Sequence, residues 1–149
     1  MDIDFDAVVK RYIEFNNTLS EERVEGLKDL ASTEVRWRDP WIDARGIDNV
    51  VAYMHKWYKL LNDIRFQTKD YSRNGQIVFL HMLMTFYVKK KPKEKVEIDY
   101  ICKVTFDDSG LVLDVREYWD ATPALESIPL LGKVVRLTKK LMQTQMSPN

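Results

Sequence analysis

Apolar residues recur every three or four positions through the first part of the chain and then every second position, a change of period that predicts helices followed by strands. Val8, Val9, Tyr12, Ile13 and Leu19 stripe a first helix beginning at Phe5, with Asp4 placed to cap it. Val24, Leu27 and Leu30 predict a second helix from Ser20 to about Ala31. Val35, Trp37 and Asp39 then share one face of a short strand, with Arg36 and Arg38 on the other, and Pro40 ends it. Past a loop from Trp41 to Gly46, the residues Ile47, Val50, Val51, Met54, Trp57 and Leu61 mark a third amphipathic helix.

Alternating segments follow at Arg65 to Thr68, Ile77 to Lys89, Val96 to Phe106 and Leu111 to Trp119. Ser72-Arg73-Asn74-Gly75 and Asp107-Asp108-Ser109-Gly110 supply turn residues, and the lysine-rich run from Lys89 to Lys95 around Pro92 suits a solvated hairpin tip. These strands predict an antiparallel meander. Thr122-Pro123 opens a last helical region, in which Leu131, Val134, Val135, Thr138, Leu141 and Met142 form a stripe expected to pack, opposite Lys133, Arg136, Lys139 and Lys140. The expectation is a single α+β domain over residues 1–149, with a curved antiparallel sheet around the N-terminal helices and a C-terminal helix.

The charge balance narrows the partners. Lys and Arg total 23 and Asp and Glu total 23, so no net field draws the chain to nucleic acid or to an anionic membrane. The acidic stretch Met1 to Asp6 does not resemble a secretory leader and no apolar run is long enough to span a bilayer, so a cytoplasmic protein is expected. Cys102 is the only cysteine, no Cys/His cluster offers metal-ligand spacing, and neither GxGxxG nor GxxxxGK[ST] occurs, so no metal or nucleotide cofactor is expected. The apolar outward face of the strand near Val78 to Val88 predicts a homodimer.

Strand parity points to a site. From Val96 to Phe106 the inward set is Val96, Ile98, Tyr100, Cys102, Val104 and Phe106, and in the next strand it is Leu113, Val115, Glu117 and Trp119. Glu117 is then a carboxyl among apolar neighbours, where lost hydration raises its pKa, and Asp39 closes its own strand on the Trp37 face. Trp37, Met54, His55, Tyr100, Cys102, Val115 and Trp119 are the expected walls for a small apolar ligand. His81 lies in a strand that is apolar on both faces, so either parity stays open for it.

The order of elements, Ala7-Val8-Val9-Lys10-Arg11-Tyr12 in the first helix, the Asp-Pro that ends the Val35 to Pro40 strand, Gly46, and Phe106-Asp-Asp-Ser-Gly-Leu-Val together resemble the nuclear-transport-factor-2-like superfamily. Glu117-Tyr118-Trp119-Asp120 followed by Ile128-Pro129-Leu130-Leu131-Gly132 is similar to its SnoaL-like subgroup, related to ketosteroid isomerases and polyketide cyclases. That resemblance implies a cone-like α+β barrel, Tyr12 as the oxyanion tyrosine and Asp39 as the base. Cys102 falls where the isomerases carry a protonated aspartate. It implies an isomerase- or cyclase-type enzyme using Asp39, Glu117 and Tyr12 in acid/base chemistry on an apolar metabolite. The alternatives are a non-catalytic carrier of such a ligand and a protein-interaction module.

Overall fold

A computed structural model describes residues 3–147, so the first two positions of the acidic amino-terminal stretch lie outside it. The described chain forms two compact units that divide between Trp119 and Asp120.

In the first unit, α1 (Phe5–Asn17) starts where the Asp4 carboxylate accepts from the Asp6 and Ala7 amides at 3.0 and 3.2 Å, and it buries Val9, Tyr12 and Phe15. The expected second helix is a 3₁₀ helix over Glu21–Asp29. Val24 and Leu27, both buried, are three residues apart, and a helix with three residues per turn stacks that spacing on one side. After β1 (Ala31–Arg38), the stretch expected to be a loop contains a three-residue strand, β2 (Asp43–Arg45), and α2 spans Ile47–Leu60. Four long or medium strands follow: β3 (Leu61–Asn74), β4 (Ile77–Val88), β5 (Lys91–Phe106) and β6 (Val112–Tyr118).

Among the described residues these strands make one curved, open six-stranded sheet in the order β2-β1-β6-β5-β4-β3. The α+β class is as expected, with two differences in detail. The meander β3 to β6 is antiparallel, but β1 runs parallel to β6, so the sheet is mixed. The sheet does not close into a barrel, because β2 and β3 are its edges. The hairpin tip between β4 and β5 shrinks to Lys89 and Lys90, and Pro92 sits in the stretch of β5 that has no β6 partner, where a missing backbone donor costs little. The turn expected at Ser72 to Gly75 falls instead on Gly75 and Gln76.

The inner sheet face carries Val35 and Trp37 of β1, Val112 and Val115 of β6, the even-numbered residues from Val96 to Phe106 of β5, and Val78, Leu80 and Met82 of β4, all buried. Each such side chain contributes about 1.5–3 kcal/mol by leaving water. Leu113, expected inside, is 41% exposed and Val112 is buried in its place. The cause is a register shift: Thr105 pairs with Asp114 but Phe106 pairs with Val112, so Leu113 is the extra residue of a bulge.

In the second unit, α3 (Thr122–Glu126) has proline at its start and α4 spans Leu131–Met146. Within this unit the stripe expected to pack leaves Val134, Leu141 and Met142 each more than half uncovered, and within α4 only Gly132 is buried.

Candidate functional site

Glu117 and Asp39 are the two buried acids among the described residues. Glu117 lies on the inner face of β6 directly opposite Cys102 of β5, and Tyr100 follows two residues along that strand on the same face. On its other side β6 pairs with β1, Val115 opposite Trp37 and Arg116 opposite Arg38. Continued by one residue, this register brings Asp39 alongside Glu117. α1 delivers Tyr12, whose ring meets Phe106 edge-on at 5.8 Å.

Asp39 takes its position from the turn that links β1 to β2. One carboxylate oxygen, Oδ1, accepts from the Trp41 and Ile42 amides at 2.6 and 3.0 Å, and Oδ2 accepts from the Tyr53 hydroxyl at 2.5 Å. These donors hold both oxygens in place. Glu117 lacks such a cradle. Burial pushes its pKa up to about 8, the Asp39 carboxylate adds to the rise, and a hydrogen bond from the Trp119 indole offsets part of it. Burial likewise raises Tyr12, Tyr100 and the Cys102 thiol well above their usual values, and Glu117 contributes to all three. Glu117 is thus the electrostatic centre of the group.

The structure gathers Tyr12, Trp37, Asp39, Tyr100, Cys102 and Glu117 at the β1-β6-β5 end of the inner face. Trp119 is half-buried and packs against Trp41 at 5.7 Å. Met54 and Val115 are almost wholly buried and serve as packing beneath this surface. His55 does not join the group: its imidazole meets Glu25 of the 3₁₀ helix at 3.2 Å, because it projects from α2 beside the buried Met54. His81 points outward from β4 and bonds Asp99 at 2.6 Å, where Lys69 also reaches the same carboxylate. Tyr53 was missed by parity reasoning. Its signal was its place on α2, three residues after Val50 and four before Trp57, against whose ring it packs at 5.1 Å.

Among the described residues no group of three or more His, Cys, Asp or Glu side chains is placed to hold a metal ion. An open recess of about 650 Å³ lies away from the acids, between the end of α1 and the β3-β4 side of the sheet, with Asn17, Leu19, Phe66 and Leu83 among its lining residues. None of the expected site residues lines it. The chemistry of the inner face, rather than the size of this recess, marks the candidate site: the charged groups around the recess pair with each other, Arg65 with Asp63 and Lys95 with Glu97.

Residues 9–121 match the SnoaL-like domain family, and the chain belongs to it. No curated protein matches the chain. Among solved structures, a putative SnoaL-like polyketide cyclase from Jannaschia sp. CCS1 is similar with a TM-score of 0.70 at 14% identity, over 85% of this chain and 92% of that one. A hypothetical protein with a ketosteroid isomerase-like fold from Catenulispora acidiphila, in complex with trimethylamine, gives 0.68 at 12% identity over 79% and 88%. An LEH-like epoxide hydrolase of M. tuberculosis gives 0.64 at 12% identity over 91% and 96%. At such identities the likeness shows the fold alone.

Proposed function

We propose that the chain is a cofactor-independent enzyme of isomerase or cyclase type, acting by proton transfer on an apolar, carbonyl-containing metabolite. The observation that carries this reading is the pair of buried acids: Glu117, pushed up to about 8, beside Asp39, held by three donors. Two neighbouring carboxyls in different surroundings divide into an acid and a base. Oδ2 of Asp39 keeps one lone pair free of the Tyr53 hydroxyl, and it takes the proton from the carbon beside the carbonyl. The electron pair moves onto the carbonyl oxygen, to which the Tyr12 hydroxyl donates. Glu117, protonated at neutral pH, gives a proton to the carbon skeleton in an isomerisation, or to the acceptor carbonyl oxygen once the enolate carbon has bonded to that carbonyl in a ring closure; the proton taken up by Asp39 then passes back to Glu117 and restores the pair. Trp37, Tyr100 and Trp119 form the apolar walls. The polyketide cyclase and isomerase-like names among the similar structures are in keeping with this chemistry.

The test follows deuterium uptake from D2O into a panel of polycyclic ketones by mass spectrometry, with binding followed separately by tryptophan fluorescence. The native chain exchanges the hydrogens beside the carbonyl, and Asp39→Asn, which lacks the base, binds the same ketones with exchange lowered at least a hundredfold, the range of acid/base contributions. Ketones that bind without exchange in either protein would establish a carrier instead. We also propose a homodimer formed through the outward sheet face, where Phe79, Ile101 and Tyr118 are exposed on neighbouring strands.

A further inference from the structure

The second unit lies almost wholly beyond the family match, which ends at residue 121, so the acid pair does not account for it. Its main element, α4, carries Lys133, Arg136, Lys139 and Lys140 and no acidic residue between Leu131 and Met146. At 100° per residue these cations fall together on one side, while Leu131, Val134, Leu137, Leu141 and Met142 fall on the other, over an arc of about 140°. Within their own unit the apolar residues are uncovered: Leu137 is 63% exposed, Val134 59% and Leu141 55%. Among the described residues Lys133 and Lys140 pair with no carboxylate, and Lys139 reaches Glu126 at 3.3 Å.

We propose that α4 is an interfacial helix that binds the chain to the surface of an anionic lipid membrane, apolar side among the acyl chains and cations at the headgroups. Three features select this occupant. An apolar arc of about 140° is broader than the narrow seam of a paired coiled coil and suits a flat apolar boundary. The four cations have no acid on α4 to offset them, and an anionic surface complements them. The 16 residues of α4 reach about 24 Å, shorter than a bilayer core of roughly 30 Å, and among the described residues no helix is long and apolar enough to cross a membrane. The helix therefore lies on the surface rather than spanning it. The even charge of the whole chain conceals this face, because the cations of α4 are balanced by acids elsewhere in the sequence.

The full chain is sedimented with vesicles of phosphatidylcholine alone or mixed with phosphatidylserine. The expected result is co-sedimentation with the mixed vesicles, at least about tenfold weaker with neutral ones and weakened by added salt, as headgroup attraction requires. Leu137→Glu with Leu141→Glu abolishes binding, and Lys133→Gln with Lys140→Gln weakens it severalfold. All four positions are exposed, so unchanged thermal unfolding and helical circular dichroism show that each variant is folded. No binding of the native chain to anionic vesicles overturns the proposal, as does binding that survives the two glutamates. A native mass in solution that drops only when those glutamates are introduced overturns it too, by assigning the face to a second copy of the chain.

Discussion

Glu117 gains nothing from ionising where it stands. Its pKa rises from 4.5 to about 8, so the folded chain keeps a proton that the unfolded chain releases, and stability falls as pH rises through that interval. The full loss is about 5 kcal/mol, at 1.36 kcal/mol per pKa unit. Glu117→Gln removes the titration, and thermal melts of the variant are expected to vary much less between pH 5 and 8, with the variant more stable than the native chain at pH 9. A native profile as flat as that of the variant would show that Glu117 is hydrated. If Glu117 is the acid, turnover falls as pH rises through about 8, because only the protonated form can donate. Tyr53 makes a separate prediction. Its hydroxyl is the third donor to the buried Asp39, so Tyr53→Phe is expected to cost about 1–3 kcal/mol in urea unfolding, the usual cost of an unmet buried partner.

At the next scale, each element is set by a short pattern plus one or two positions with no freedom. The turn before β6 is one such place: Asp107 accepts from the Ser109 and Leu111 amides, and Gly110 has φ +78°. A Cβ there would stand 2.9 Å from Cγ2 of Val8, so Gly110→Ala combines a left-handed backbone with a clash and should cost about 1–3 kcal/mol in chemical denaturation. This turn was legible because its residues are its mechanism, as were α1, α2 and the inward set of β5, whose periods sit on single faces. The 3₁₀ helix was not, since Val24, Leu27 and Leu30 fit both helix types over so short a run. The parallel β1-β6 pairing joins segments more than 70 residues apart, which no local pattern records. The Leu113 bulge also escaped parity, yet Glu117 still faces inward because the shift lies before Asp114 and the alternation from Val115 onward is undisturbed. In the candidate site the acids were legible as polar breaks in apolar stripes, whereas Tyr53 was hidden as one aromatic among several on an amphipathic helix.

For the molecule as a whole, the question is which of its uncovered apolar surfaces meets what. On the outward sheet face, Phe79 of β4, Ile101 of β5 and Tyr118 of β6 are 40%, 42% and 54% exposed, and Ile101 stands directly opposite Tyr118 in the ladder and opposite His81 on its other side. Arg116 lies over the Tyr118 ring at 5.5 Å, which leaves the apolar centre with a polar border, the arrangement of a protein contact rather than of a lipid-facing surface. A self-complementary patch on a sheet face closes as a two-fold dimer. Light scattering at micromolar concentration is therefore expected to give about twice the 17.6 kDa chain mass. Ile101→Lys places a charge at the centre of that face, opposite Tyr118 and on the other side of the sheet from Glu117, and is expected to return the monomer with the thermal unfolding of the first unit largely retained. Membrane binding through α4 would persist in that variant, since the two surfaces carry different residues. A native chain that scatters as a monomer across the micromolar range would remove the dimer while leaving the acid pair and the basic helix untouched.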